Sequence, residues 1–190
     1  MAKPYSLSTE RLNLSLPAAK DIPQIVDYAR DPDIAENLSF FPYPYVEGDA
    51  IYWINMANQG SQKGNQYIFA LRLKEDDSFL GGIELCLTPH FNRAELGYWL
   101  GKPHWGKGYA TEAAREMVRF GFETLGLNKV TCSHYTFNPA SGNVMQKCGM
   151  LKEGLLREQV KSGDTYHDLV VYGITRKQYE KKETLPSSNE

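Results

Sequence analysis

Little in this sequence points to a partner or an unusual compartment. Of its 190 residues only three are cysteine, Cys86, Cys132 and Cys148, and no two form a C-x-x-C pair. That argues against a disulfide framework or a zinc centre and for a reducing compartment, so a cytoplasmic protein without metal and with three buried thiols is expected. No apolar run nears the roughly 20 residues of a membrane-spanning helix. The opening Met1-Ala2-Lys3-Pro4 lacks the apolar core of a signal peptide. Charge is nearly balanced, 21 basic against 23 acidic residues for a net −2, with no block of one sign. Neither a nucleic-acid-coating protein nor a membrane-surface protein fits that balance. No tandem repeat suggests a solenoid. What remains is a single domain over residues 1–180, long enough to bury a full core, and a polar C-terminal tail over 181–190.

The stretch with most to say runs from His104 to Ala114. Before it, Ala94-Glu95-Leu96-Gly97-Tyr98-Trp99-Leu100 reads as a strand; after it, Ala110, Ala113, Ala114, Met117, Val118, Phe122 and Leu125 recur at helical spacing up to Gly126. The chain therefore runs strand, glycine loop, helix. Small residues let the backbone turn tightly and approach a ligand closely. The N–H groups of the loop and the helix start then face an anion, aided by the helix dipole. Trp105, Gly106, Lys107, Gly108, Tyr109, Ala110 and Thr111 form this candidate phosphate cradle, with Lys107 adding charge. It is not a dinucleotide fingerprint, because the third glycine would fall on Thr111, and it is not a P-loop, because no G-K-S/T follows. A tight turn without a ligand is the bland alternative.

The rest reads around it. Arg11 to Leu16 alternates like a half-buried strand and Pro17 stops it. Asp21 is placed to cap a helix carrying Ile22, Ile25, Val26 and Ala29, which Asp31-Pro32-Asp33 breaks. A short turn over residues 34–38 follows. Phe40-Phe41-Pro42-Tyr43-Pro44-Tyr45 is too proline-rich for a regular element, and its aromatics suit a pocket wall. A helix over 47–58 is expected to end at Gly60 or Gly64. Strands over 67–73, 79–87 and 94–100, separated by polar turns, form an antiparallel meander. A strand over 129–135, a helix from Asn138 to Gly149, and strands over 152–161 and 165–174 complete the chain, with everything after Tyr179 a frayed tail.

Loop and element order resemble one family. Gly108 and Ala110 match the end of the Q/R-x-x-G-x-G/A acetyl-CoA loop of the GNAT acetyltransferases, with Trp105 standing where Gln or Arg is usual. Thr9-Glu10-Arg11-Leu12, Ala94 to Trp99, and Asn138-Pro139-Ala140-Ser141 followed by Lys147-Cys148-Gly149-Met150 are similar to the RimJ/RimL-type branch. The resemblance implies an α/β (α+β) fold, a mixed, mostly antiparallel sheet flanked by helices, with its fourth and fifth strands splayed around a slot. It implies acetyl-CoA as cosubstrate. The pantetheine arm would pair with the backbone at Tyr98, Trp99 and Leu100, and Asn138 would reach the pantetheine amides from the other wall. The implied acceptor is a protein N-terminus or a small amine, and a homodimer stays open.

The implied chemistry is acyl transfer to an amine that must first lose a proton. Glu95 is the preferred base and Glu84 the other candidate, more simply read as a solvated or paired strand glutamate. Many relatives keep a tyrosine proton donor where this chain has Met145, so Ser141 becomes the candidate partner of the leaving thiolate, with helix capping its plain alternative. Cys148 is discounted as a nucleophile, having no histidine near it in sequence. His104, His134 and Tyr135 are read more simply as turn and strand-end residues than as ligand contacts. A non-catalytic acyl-CoA-binding module of the same fold is the competing reading.

Overall fold

The computed structural model describes residues 5–38 and 42–183. Eight strands form one sheet: β1 (Leu7–Ser8), β2 (Leu12–Ser15), β3 (Gln66–Leu73), β4 (Phe79–Thr88), β5 (Arg93–Leu100), β6 (Lys129–Tyr135), β7 (Leu151–Ser162) and β8 (Thr165–Thr175). Their spatial order is β1-β2-β3-β4-β5-β6-β8-β7. Every neighbouring pair is antiparallel except β5 and β6, which are parallel. The helices are α1 (Ile22–Ala29), α2 (Pro32–Ala35), α3 (Glu47–Lys63), α4 (Tyr109–Arg119), α5 (Pro139–Lys147) and α6 (Arg176–Glu183). The mixed α/β sheet and the meander are as the sequence implies. The two-residue β1 shifts the strand count, so the expected splay falls between β5 and β6.

Strand parity builds two layers. Ala94, Leu96 and Leu100 of β5 are buried with Ala113, Ala114, Met117 and Val118 of α4 in the larger core. That stripe makes α4 pack on the sheet, each large side chain contributing about 1.5–3 kcal/mol on burial. The other face carries Glu95, Gly97 and Trp99, and there Trp99 packs with Ile25, Ala29 and Ala50 of α1 and α3 in a second cluster. Trp99 meets Trp53 at 6.2 Å and Phe79 at 5.9 Å between ring centroids. Gly64, in the left-handed region at φ 67°, closes α3; Gly60 lies inside that helix.

Several expectations change. Asp21 does not cap α1 with its side chain. Its carboxylate is buried against Arg72 and accepts from the Ala18 N–H at 2.7 Å, tying the start of α1 to the sheet. The chain after Tyr179 continues as α6 to Glu183, with Tyr179 stacked on Phe122. Cys132 and Cys148 are buried, but Cys86 is exposed, because β4 emerges from the sheet's cover towards its end. Of the aromatic loop, Phe40 and Phe41 lie outside the described residues. Tyr45 is core and Tyr43 is 62% exposed, so these two do not share a wall. Among the described residues no helix is long and apolar enough to cross a membrane.

Candidate active site

β5 and β6 pair only at Arg93–Lys129, Ala94–Val130 and Glu95–Thr131. Beyond Glu95 the two strands part, while β6 stays paired to β8 as far as Tyr135. The backbone of Gly97 to Leu100 thus has no strand partner on its β6 side among the described residues. Such an edge suits an extended ligand that pairs as a strand would. Tyr98, Trp99 and Leu100 all lie on it. One carbonyl is already engaged: the Trp105 indole N–H donates to the Leu100 carbonyl at 2.8 Å. That is what the unusual Trp105 does here. It folds the loop back on the strand end.

The loop lies at the wide end of this gap. Gly106 and Gly108 have φ of 73° and 83°, a region that costs a side chain strain and glycine nothing. Gly108 is the N-cap of α4, and no side chain caps the helix. The N–H groups of Tyr109, Ala110 and Thr111 therefore have no acceptor within the helix, which suits an anion. Lys107 is exposed beside them. All seven loop residues predicted from sequence are brought together at this helix end.

A contact between distant parts of the chain holds the loop. Arg11 donates through Nη1 to the Lys107 carbonyl at 3.1 Å and through Nε to Glu112 at 2.7 Å. Its guanidinium lies 4.6 Å from the centre of the Tyr109 ring. Thr9 donates its hydroxyl to the other Glu112 oxygen at 2.5 Å. Burial alone would raise the Glu112 carboxyl, but these hydrogen bonds hold it below the usual range. The only hint in the sequence was Thr9-Glu10-Arg11 itself, whose target 101 positions away no spacing rule reveals.

On the narrow end stand the carboxylates. Glu95 is exposed and accepts from the Ser133 hydroxyl at 3.2 Å, across the β5–β6 boundary. Glu84 lies on the same sheet face of β4, opposite Gly97. It accepts from the Gln66 amide at 2.7 Å, and a Cβ on Gly97 would meet its Oε1 at 3.1 Å. Burial, reinforced by the charge of Glu95, pushes the Glu84 carboxyl up, against the Gln66 hydrogen bond. Glu84 is thus no freely solvated glutamate.

The opposite wall is the start of α5. Asn138 is its N-cap and accepts from the Ser141 N–H at 3.2 Å. Ser141 is therefore capped rather than capping, and its Oγ lies 2.8 Å from the Tyr98 hydroxyl. Met145 is 1% exposed, part of the larger core against which Tyr98 also packs. Cys148 is buried and donates weakly to the Thr111 carbonyl, joining α5 to α4. His104 shares a hydrogen bond of 2.9 Å with the Tyr28 hydroxyl; burial, then Lys107, holds its ring below the usual histidine range. Tyr135 is buried, and His134 packs on Tyr172 and against Gly142, so neither is a strand-end surface residue. Among the described residues no three His, Cys, Asp or Glu side chains are grouped to hold a metal ion.

Comparison with known proteins agrees with this geometry. The family described as "Acetyltransferase (GNAT) domain" matches residues 11–151. The "Uncharacterized N-acetyltransferase p20" of Bacillus licheniformis is 31% identical over 175 residues, covering 92% of this chain and 98% of its own. The "Putative ribosomal N-acetyltransferase YdaF" of Bacillus subtilis (strain 168) is 37% identical over 106 residues, 55% of this chain and 58% of its own. In fold, the chain superposes on the RimL ribosomal L7/L12 alpha-N-protein acetyltransferase in complex with coenzyme A, with a TM-score of 0.82 at 15% identity, covering 90% of this chain and 98% of that one.

Proposed function

This chain belongs to the GNAT acetyltransferase family and is an N-acetyltransferase; on that premise we propose that it moves an acetyl group from acetyl-CoA directly to a primary amine, a protein N-terminus or a small amine. One observation carries the reading. The uncapped start of α4 and its glycine turn sit at the wide end of the parted β5 and β6, with Glu95 where the two strands part. The pyrophosphate of acetyl-CoA would rest on Trp105 to Thr111, as backbone N–H groups at a helix start favour. The pantetheine arm would lie along Tyr98, Trp99 and Leu100, with Asn138 facing it. The fold neighbour held coenzyme A, which accords with this donor.

The chemistry follows from the acceptor. An aliphatic ammonium has a pKa of about 10 and an α-amino group about 8, so both need to lose a proton to attack near neutral pH. Glu95 takes that proton, directly or through water. The amine nitrogen bonds to the thioester carbonyl carbon, the C–S bond breaks, and the electron pair leaves on sulfur. The nitrogen, positively charged after attack, gives up its second proton, which reaches the thiolate by way of the Ser141 hydroxyl held by Tyr98. The products are an amide and the free thiol of coenzyme A.

The decisive experiment incubates the protein with acetyl-CoA and a panel of N-terminal peptides and small amines, and follows free-thiol release. Release that depends on one acceptor class supports the reading and names the class. Coenzyme binding without release for any acceptor overturns it in favour of a non-catalytic module.

A further inference from the structure

We propose that Arg11 is a positioning residue for the anion-binding loop, a latch that fixes the direction of the Lys107–Gly108 peptide; the proposal rests on the acetyl-CoA reading above. The peptide is trans, since Tyr43–Pro44 is the cis bond among the described residues. In a trans peptide the C=O and N–H point in opposite directions. Arg11 holds the Lys107 carbonyl at 3.1 Å. The Gly108 N–H must then point to the other side, away from Arg11.

Among the described residues no hydrogen bond other than that from Arg11 engages the Lys107 carbonyl. Gly108, at φ 83°, has no side chain to bar the flipped peptide. A flip would turn a carbonyl oxygen to the side where an anion needs a donor. The carbonyl of Gly108 itself is already used, accepting from the Glu112 N–H at 3.0 Å in the first turn of α4. The Lys107–Gly108 peptide is thus the last joint before the helix.

Arg11 also disarms Glu112. A carboxylate in the first turn of α4 competes with an anion for the same helix end. Both its oxygens are turned outwards: Oε1 accepts from the Thr9 hydroxyl at 2.5 Å and the Arg11 N–H at 2.8 Å, and Oε2 from the Arg11 Nε at 2.7 Å. A planar guanidinium can serve a carboxylate and a carbonyl at once; a lysine ammonium has no such fork.

The test is donor-specific. Arg11→Met keeps an unbranched side chain and removes both side-chain bonds together with the charge beside Tyr109. By calorimetry it should bind acetyl-CoA about tenfold more weakly, roughly one factor of ten per 1.4 kcal/mol. With S-acetylpantetheine as donor, which has no pyrophosphate, kcat/KM should stay within about twofold of the unaltered chain. Arg11→Lys, which keeps the charge, should lose at least about threefold in acetyl-CoA affinity, and it carries the test should Arg11→Met fail to fold. Equal affinity in the variants overturns the latch, and so do equal losses with both donors, which would mark a general packing role. An unaltered chain that binds no acetyl-CoA overturns the donor reading and the latch together; one that binds normally beside unaffected variants overturns the latch alone.

Discussion

The Tyr98 hydroxyl lies 2.8 Å from Ser141 Oγ and 3.1 Å from the Ser141 carbonyl, spanning the gap between β5 and the start of α5. Burial pushes the Tyr98 phenol far up, so it keeps its proton and can donate to Ser141. Ser141 then has its own hydroxyl hydrogen to give. With Met145 buried in the core, this pair supplies hydroxyl groups at the start of α5.

Ser141→Ala should lower kcat more than it raises the acetyl-CoA dissociation constant. Its stability cost cannot come from a lost cap, because Asn138 supplies the cap. Tyr98→Phe keeps the ring and should cost about 1 kcal/mol, the usual worth of one hydrogen bond. Steady-state kinetics with urea melts on the same samples check both. A Ser141→Ala enzyme with unchanged kcat means the thiolate leaves unaided.

Glu95→Gln should leave acetyl-CoA affinity alone and lower kcat/KM about a hundredfold near neutral pH, the scale of a general base. The deficit should shrink at high pH, where the amine is already free. A pH–rate series on both proteins measures this, and a near-normal rate at neutral pH moves the role to Glu84 or to water.

Glu84 offers a test through stability. Its folded carboxyl is held above the ordinary value by burial and Glu95. As pH rises through the ordinary carboxylate range, the unfolded chain releases this proton first, and the fold loses stability until the folded group has also titrated. Glu84→Gln removes that loss. Its Tm relative to the parent should therefore rise with pH from about 4.3, the ordinary glutamate pKa, upwards, and the advantage should vanish in more acid solution. Thermal melts across that range decide it.

Gly108→Val places a branched side chain at φ 83° and should weaken acetyl-CoA binding tenfold or more, about 1.4 kcal/mol. Calorimetry on the folded variant showing equal affinity would remove the cradle.

Two substitutions separate direct transfer from an acyl-enzyme and test the core. Cys148→Ala should leave turnover largely intact, and intact-mass analysis during turnover should find no acetyl group on Cys148. Met145→Tyr forces a larger polar ring into a position 1% exposed and should cost about 1–3 kcal/mol through overpacking rather than restore a proton donor. A Met145→Tyr enzyme that is both stable and faster would contradict the packing described for α5.

The meander was legible because polar turns separate three runs of strand length, although β3 is buried along nearly its whole length and does not alternate. The glycine loop was legible because a strand, small residues and a helical stripe follow one another without a gap. What stayed hidden lies across long sequence separations. Strand parity sets Tyr98 on the face opposite Glu95, but only the parting of β5 from β6 brings its hydroxyl to Ser141. Arg11 reads as the first residue of a strand, and its grip on Lys107 and Glu112 depends on how α4 packs beside β2. Asp21 has the residue type and place of a cap, yet the buried Arg72 claims its carboxylate. Glu84 looks like any strand glutamate until Gly97 and Gln66 are seen around it.

The parallel contact between β5 and β6 ends at Glu95–Thr131. Mechanically it is a wedge with its pivot at that pair. When one half of the sheet tilts against the other, displacement grows with distance from the pivot. The spacing at Glu95 and Ser133 hardly changes, while the far ends at Leu100 and Tyr135 move most. Such a tilt would widen the end beside the glycine loop and leave the end at Glu95 nearly fixed, so on the proposed reading the gap could admit a long donor while the carboxylate keeps its place.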